Sequence, residues 1–255
     1  MSFEEYAKKR HSVPYVLRLK AGRGRLLYFG ARHVSGSDDP ELAQIERLWA
    51  EFKPRVAFFE GADPESMPTP ARSRAEVRGE SGLVLFLAAR DKVPVRTLEP
   101  SQRDEVALLL GKYSPEEVKV FYVLRQVPQF RSGAHAESVE AYTENVLGGL
   151  SLRPELRGAP RTVAELKASC ARLFPQLPDW RDVPQAWFDP VPLPPPTYLN
   201  DVSRRLSELR DRHMLSLLAE EVSKGKRVFA VVGASHVVMQ ERALRAEIKA
   251  ARKTR

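Results

Sequence analysis

Two phrases of the sequence place a histidine three residues past a glycine at the end of an apolar run. Leu26-Leu-Tyr-Phe-Gly-Ala-Arg-His33 stands near the beginning and Val228-Phe-Ala-Val-Val-Gly-Ala-Ser-His236 near the end. Imidazole takes and gives a proton near neutral pH and is the commonest side-chain ligand of metals. Gly30 and Gly233 let the backbone turn sharply, or approach a ligand, where a Cβ would obstruct. Two more apolar runs end in carboxylates: Val56–Phe59 precedes Glu60, and Val95–Leu98 precedes Glu99. A glutamate abutting Phe58-Phe59 is at least partly buried, and a buried carboxylate needs a partner. One Gly-x-x-His is a weak signal. Two copies in a chain with five histidines point to one shared site.

These runs alternate with helical patterns, which argues for an α/β fold with a mainly parallel or mixed central sheet flanked by helices. Segments 14–19 and 25–29, joined by Ala21-Gly-Arg-Gly24, read as a hairpin. Asp39 as N-cap, with Pro40 at the first helical position, starts a helix whose apolar face is Leu42, Ile45, Leu48 and Trp49. Segments 55–59 and 93–98 read as strands, and the nearly all-apolar 82–89 between them as a buried helix. A long helix over 198–223, a strand over 227–232 and a helix over 238–250 close the chain. The chain reads as one α/β domain over 1–255, with sheet-forming segments at about 14–100 and 198–255 and a helical insertion at about 101–197. The insertion includes 175–196, which holds eight of the twenty prolines and cannot be a regular helix or a central strand. It reads as an extended crossing segment or lid. In such sheets ligands bind beyond the carboxyl ends of parallel strands, so His33, Glu60, Glu99 and His236 are expected at one edge.

The long helix carries an independent clue. At about 100° per residue, Leu206, Leu209, His213 and Leu217 form one apolar stripe, and Arg210 falls inside it. A buried guanidinium is costly unless paired, so Arg210 should meet a carboxylate or an anionic ligand; Glu60 or Glu99 would serve. His213 reads as a satisfied core histidine, and Asp211 flanks the stripe. Glu80 opens the apolar helix at 82–89, either compensating the helix dipole or contributing to the site.

The set Gly-Ala-Arg-His33, Phe-Glu60-Gly, Gly-Glu80, Arg210-Asp211-x-x-Met214 and Gly-Ala-Ser-His236 resembles the superfamily of TraB/PrgY pheromone-shutdown proteins, TIKI proteases, erythromycin esterases and ChaN-like haem-binding proteins. The resemblance covers the outer thirds of the chain, and its strength lies in the order of the motifs. It implies a hydrolase-like site built from His33, Glu60, Glu80, Arg210, Asp211 and His236; Glu99 joins from its place at a strand end. The Arg-Asp pair is of the TraB type, which lacks the amide donor of TIKI-type members.

Two imidazoles with carboxylates suit a divalent metal such as Mn, Co, Fe or Zn, with His33, His236 and Glu60 as ligands. A metal-free site works as well: one histidine takes a proton from water, and Arg210 holds the oxyanion. The expected activity is cleavage of an ester or amide in a small-molecule or peptide substrate. The rival is a binding protein without turnover, holding haem or a small ligand in the same pocket. The net charge of +8 invites nucleic acid as a partner, but the charge is scattered through an Arg-rich chain, which argues against it. No apolar run has the roughly 18 residues of a membrane span. The first residues hold no signal-peptide core, and the one cysteine, Cys170, allows no internal disulfide. A cytoplasmic setting is therefore expected; oligomeric state is not encoded in these features.

Overall fold

The computed structural model describes residues 1–33, 39–61, 79–191 and 194–253. The chain divides into two compact units, Met1–Pro100 with Arg210–Arg255, and Ser101–Leu209. No helix among the described residues is long and apolar enough to cross a membrane.

After a short helix, α1 Phe3–Ala7, the described residues of the first unit form five strands: β1 Tyr15–Ala21, β2 Gly24–Ala31, β3 Val56–Phe59, β4 Val95–Thr97 and β5 Arg227–Gly233. Their spatial order is β1-β2-β5-β3-β4. Only β1 runs antiparallel, as the hairpin partner of β2; β2, β5, β3 and β4 are mutually parallel. The last strand of the chain therefore lies between the second and the third. Register sets Gly30 beside Val232 and Ala31 beside Gly233, so the two Gly-Ala-x-His phrases leave the sheet as neighbours.

Strand periodicity decides the layers. Leu27, Phe29, Ala57, Phe59, Phe229 and Val231 face one side and pack on α2, Pro40–Phe52, and α3, Gly79–Asp91. Every residue from Gly82 to Ala88 is buried, as its unbroken apolar composition requires. Leu26, Tyr28, Val56, Phe58, Val228, Ala230 and Val232 face the other side and pack on Met214, Leu218, Val222, Val237, Leu244 and Ile248 from the last two helices. Asp39 does cap α2, its side chain accepting from the Glu41 N–H; Ser37 and Asp38 lie outside the described residues. The final helix, Ala234–Lys253, begins four residues earlier than its pattern predicts. His236 thus sits in a first helical turn, immediately after β5, and not on a loop.

The long helix, Tyr198–Ser223, has the predicted bounds, but its buried face is turned from the expected stripe. In the first unit that face follows every fourth residue, with Met214, Leu218 and Val222 fully buried. Leu209, His213 and Leu217 are half-buried on its flank. Arg210 is one step along the same row as Met214, so the guanidinium is central to the face and not at its margin.

The second unit is helical, with helices at Gln102–Leu110, Pro115–Leu124, Gln126–Arg131, Val139–Ser151 and Val163–Leu173. Ser138 provides the N-cap of the helix that starts at Val139. The Pro-rich segment departs from a purely extended reading. It contains two short 3-10 turns, Trp180–Asp182 and Gln185–Phe188, and anchors Trp180, Val183 and Phe188 in the core of this unit.

Candidate functional site

The carboxyl edge of the sheet holds the residues that leave its parallel strands. Glu60 follows β3, and both of its oxygens are engaged. Oε1 accepts from Arg210 Nη2 at 2.7 Å, and Oε2 accepts from the Gly233 N–H at 2.6 Å. The imidazoles stand on either side of it: His236 Nε2 is 3.7 Å from Oε1, and His33 Nε2 is 3.9 Å from Oε2. The side chain of His236 is 13% exposed and that of His33 is 64% exposed. One imidazole is therefore held inside while the other faces solvent.

Arg210 grips Glu99 in a fork, Nε to Oε2 at 2.7 Å and Nη2 to Oε1 at 2.6 Å. Burial works against the guanidinium charge, but the hydrogen bonds and charges of Glu99 and Glu60 outweigh it and raise its pKa further. Glu60 shows the converse balance. Burial pushes its carboxyl up, while a charged His236, the Gly233 N–H and Arg210 together bring it below the usual value. Arg210 thus serves first as the clamp that lets two carboxylates share one partly buried place. Its Nε and Nη2 are committed there, which leaves little of the fork for the oxyanion role that the sequence suggested.

A second chain of hydrogen bonds fixes His236. Its Nδ1 lies 2.7 Å from Asp211 Oδ1, and the Gln240 amide donates to that same oxygen at 2.7 Å. Tyr28, fully buried on β2, donates to Gln240 Oε1 at 3.0 Å. Burial, then the charges of Asp211 and Glu60, push the Tyr28 phenol well above its usual range, so it remains a donor. That fixes the amide of Gln240: its oxygen accepts from Tyr28 and its nitrogen donates to Asp211. A carboxylate at Asp211 can only accept, so the proton sits on Nδ1 of His236 and the lone pair of a neutral ring is on Nε2, the atom turned toward Glu60. Composition gave no sign of Tyr28 or Gln240. Tyr28 hides in an apolar strand, and the only available signal for Gln240 was its place four residues after His236 on one helix face.

The two glycines have different tasks. A Cβ on Gly30 would lie 2.7 Å from the Ala234 Cα, so this glycine lets β2 meet the start of the last helix. A Cβ on Gly233 would lie 2.5 Å from His33 Nε2, so this one makes room for the imidazole of the other phrase. The phrases are repeated because each glycine accommodates the other copy. His33 itself has φ of 65°, a left-handed conformation that costs a non-glycine residue about 1 kcal/mol or more. It is held there by Arg32, whose N–H and Nε both donate to the buried Glu41 at 2.9 Å.

Glu80 is buried in the first turn of α3. Its neighbour Ser81 donates to the Glu60 carbonyl at 2.5 Å, which ties that turn to the β3 exit. Thr97 donates to the Gly61 carbonyl at 2.5 Å and accepts from the Glu99 N–H at 2.9 Å, fixing the two glutamate-bearing exits together. Cys170 lies in the second unit, and burial pushes its thiol up to about 12, which removes it as a nucleophile at neutral pH.

Among the described residues no three His, Cys, Asp or Glu side chains are placed to share an ion. A cation between the imidazoles would have to take Glu60 from Arg210 and then sit beside its positive charge. Comparison of the chain with protein-family models, curated proteins and solved structures gives no match.

Proposed function

We propose that the first unit is a hydrolase that activates water at the carboxyl edge of its sheet to cleave an ester or amide. The observation that carries this reading is the Asp211–His236 pair, with the imidazole oriented by a buried hydrogen-bond chain and its Nε2 turned into the site. His236 Nε2 takes a proton from water as the hydroxide oxygen adds to the substrate carbonyl. It then returns the proton to the leaving oxygen or nitrogen as the carbonyl-to-leaving-group bond breaks. The 3.7 Å between Nε2 and Glu60 exceeds a direct hydrogen bond, and a water between the two is the usual way such groups engage. Glu60 orients that water, Arg210 holds Glu60 and Glu99 in place, and the solvent-facing His33 donates to the developing oxyanion. The resemblance of the motif order to that of the TraB, TIKI and erythromycin esterase superfamily supports the same chemistry. The substrate is a small molecule or a peptide that reaches His33 from solvent.

A panel of chromogenic esters and peptide amides, assayed with the wild type and with His236→Ala and His33→Ala, tests the proposal. A substrate should emerge whose turnover falls by roughly 10²–10⁴-fold in His236→Ala, with an unchanged circular dichroism spectrum. Full turnover in the double histidine variant would overturn it.

A further inference from the structure

The opposite, amino-terminal edge of the same sheet has its own pocket. A cavity of about 240 Å³ is lined there by Trp49, Lys53, Arg55, Asp91 and Arg227, among others. Arg227 opens β5, and its backbone carbonyl accepts from the Arg55 N–H at 2.8 Å, so the two arginines start adjacent strands. Lys53 closes α2 as its C-cap. Three cationic residues therefore line one pocket, and none of them forms an ion pair among the described residues.

Two details separate this pocket from a merely basic surface. First, the Arg227 Nε–H is sealed from solvent and has no hydrogen-bond partner. A buried donor without an acceptor is unfavourable, and turning the guanidinium outward toward an acceptor in the pocket would relieve it. Second, the one acid on the wall is already spent. Arg90 donates to both oxygens of Asp91 at 2.7 and 2.8 Å, and the Trp49 indole N–H donates at 2.8 Å. The Arg90 hydrogen bonds, opposed by burial and helped by Trp49, bring the Asp91 carboxyl down to about 2. It is a neutralised ion pair at neutral pH and does not balance Lys53, Arg55 and Arg227. The carbonyl end of α2 accounts for a lysine at Lys53, but not for two strand-opening arginines.

We infer that this pocket, at the far edge of the sheet from His33 and His236, binds a small ligand through a terminal phosphate dianion. Two guanidinium groups offer planar, multidentate donors to phosphate oxygens, and the Lys53 ammonium adds a mobile charge. The site is separate from the proposed hydrolytic centre, and its existence does not depend on that reading.

Inorganic pyrophosphate is the probe, titrated by calorimetry and by Trp49 fluorescence into the full chain. One equivalent should bind, more weakly as salt is raised. Arg55→Gln, on an exposed side chain, and Arg227→Gln should each weaken binding at least about tenfold, and a phosphomonoester should compete with pyrophosphate. Absence of binding up to about 10 mM, or equal affinity in both variants and the wild type, would overturn the inference. So would a single-stranded oligonucleotide without terminal phosphate that binds more tightly and is not displaced by pyrophosphate, since the site would then be reading phosphodiester backbone.

Discussion

Arg210 and Asp211 are adjacent in sequence and hold opposite halves of the site. Arg210 clamps Glu60 and Glu99, while Asp211 orients His236. Arg210→Met leaves two carboxylates facing each other without a counter-charge, and should cost about 3 kcal/mol in urea denaturation; an unchanged midpoint would show that the clamp is dispensable. Gln240→Leu removes one donor to Asp211 and leaves the Tyr28 hydroxyl only the weak Met214 sulfur acceptor in the core. It should destabilise by about 1–3 kcal/mol and lower turnover on any confirmed substrate through a less ordered His236, an effect a purely structural glutamine would not have. The pairing need of Arg210 was legible because a guanidinium in an apolar row admits few solutions. The direction of that row was less legible: Leu209, His213 and Leu217 matched the helical period as well as Met214, Leu218 and Val222 did. Only packing on the sheet chose between them.

At the scale of elements, strand order makes the site. Because β5 lies between β2 and β3, the residue after each parallel strand arrives at the same edge, and two phrases some 200 residues apart become neighbours. The strands themselves were readable from apolar runs and turn residues. Which strand lies beside which was not, since nothing local in β5 specifies insertion between β2 and β3. The paired glycines offer opposite tests. Gly30→Ala forces a Cβ against the Ala234 backbone and should cost about 1–3 kcal/mol in stability. Gly233→Ala drives a Cβ only into the exposed His33 ring, which can swing away. Its melting temperature should hold while turnover falls. If the two variants behave alike in both measurements, the assigned tasks are wrong.

At the scale of the whole molecule, charge is distributed with a direction the composition does not reveal. The net +8 looked scattered along the chain. Folding gathers Glu60, Glu99 and Asp211 at the carboxyl edge of the sheet, and Lys53, Arg55 and Arg227 around a pocket at the other. The carboxyl edge also sets an acid limit on stability. The Glu60 carboxyl is lowered in the folded state from 4.5, so its contribution is complete above that value and is lost as pH falls through the lower folded value. Thermal melts taken from about pH 5 down to pH 3 should therefore drop more steeply for the wild type than for Glu60→Gln. Parallel slopes would mean that Glu60 gains nothing from its ionised contacts.

The proposed hydrolysis requires a free lone pair on His236 Nε2, and ¹⁵N NMR of the histidine side chains reads directly which nitrogen carries the proton, with Asp211→Asn to assign the signal. In the neutral ring the proton should be on Nδ1, leaving a lone pair at Nε2, and this preference should weaken in Asp211→Asn. A neutral His236 protonated at Nε2 in the wild type would contradict a general-base role, because that nitrogen could not then accept a proton from water.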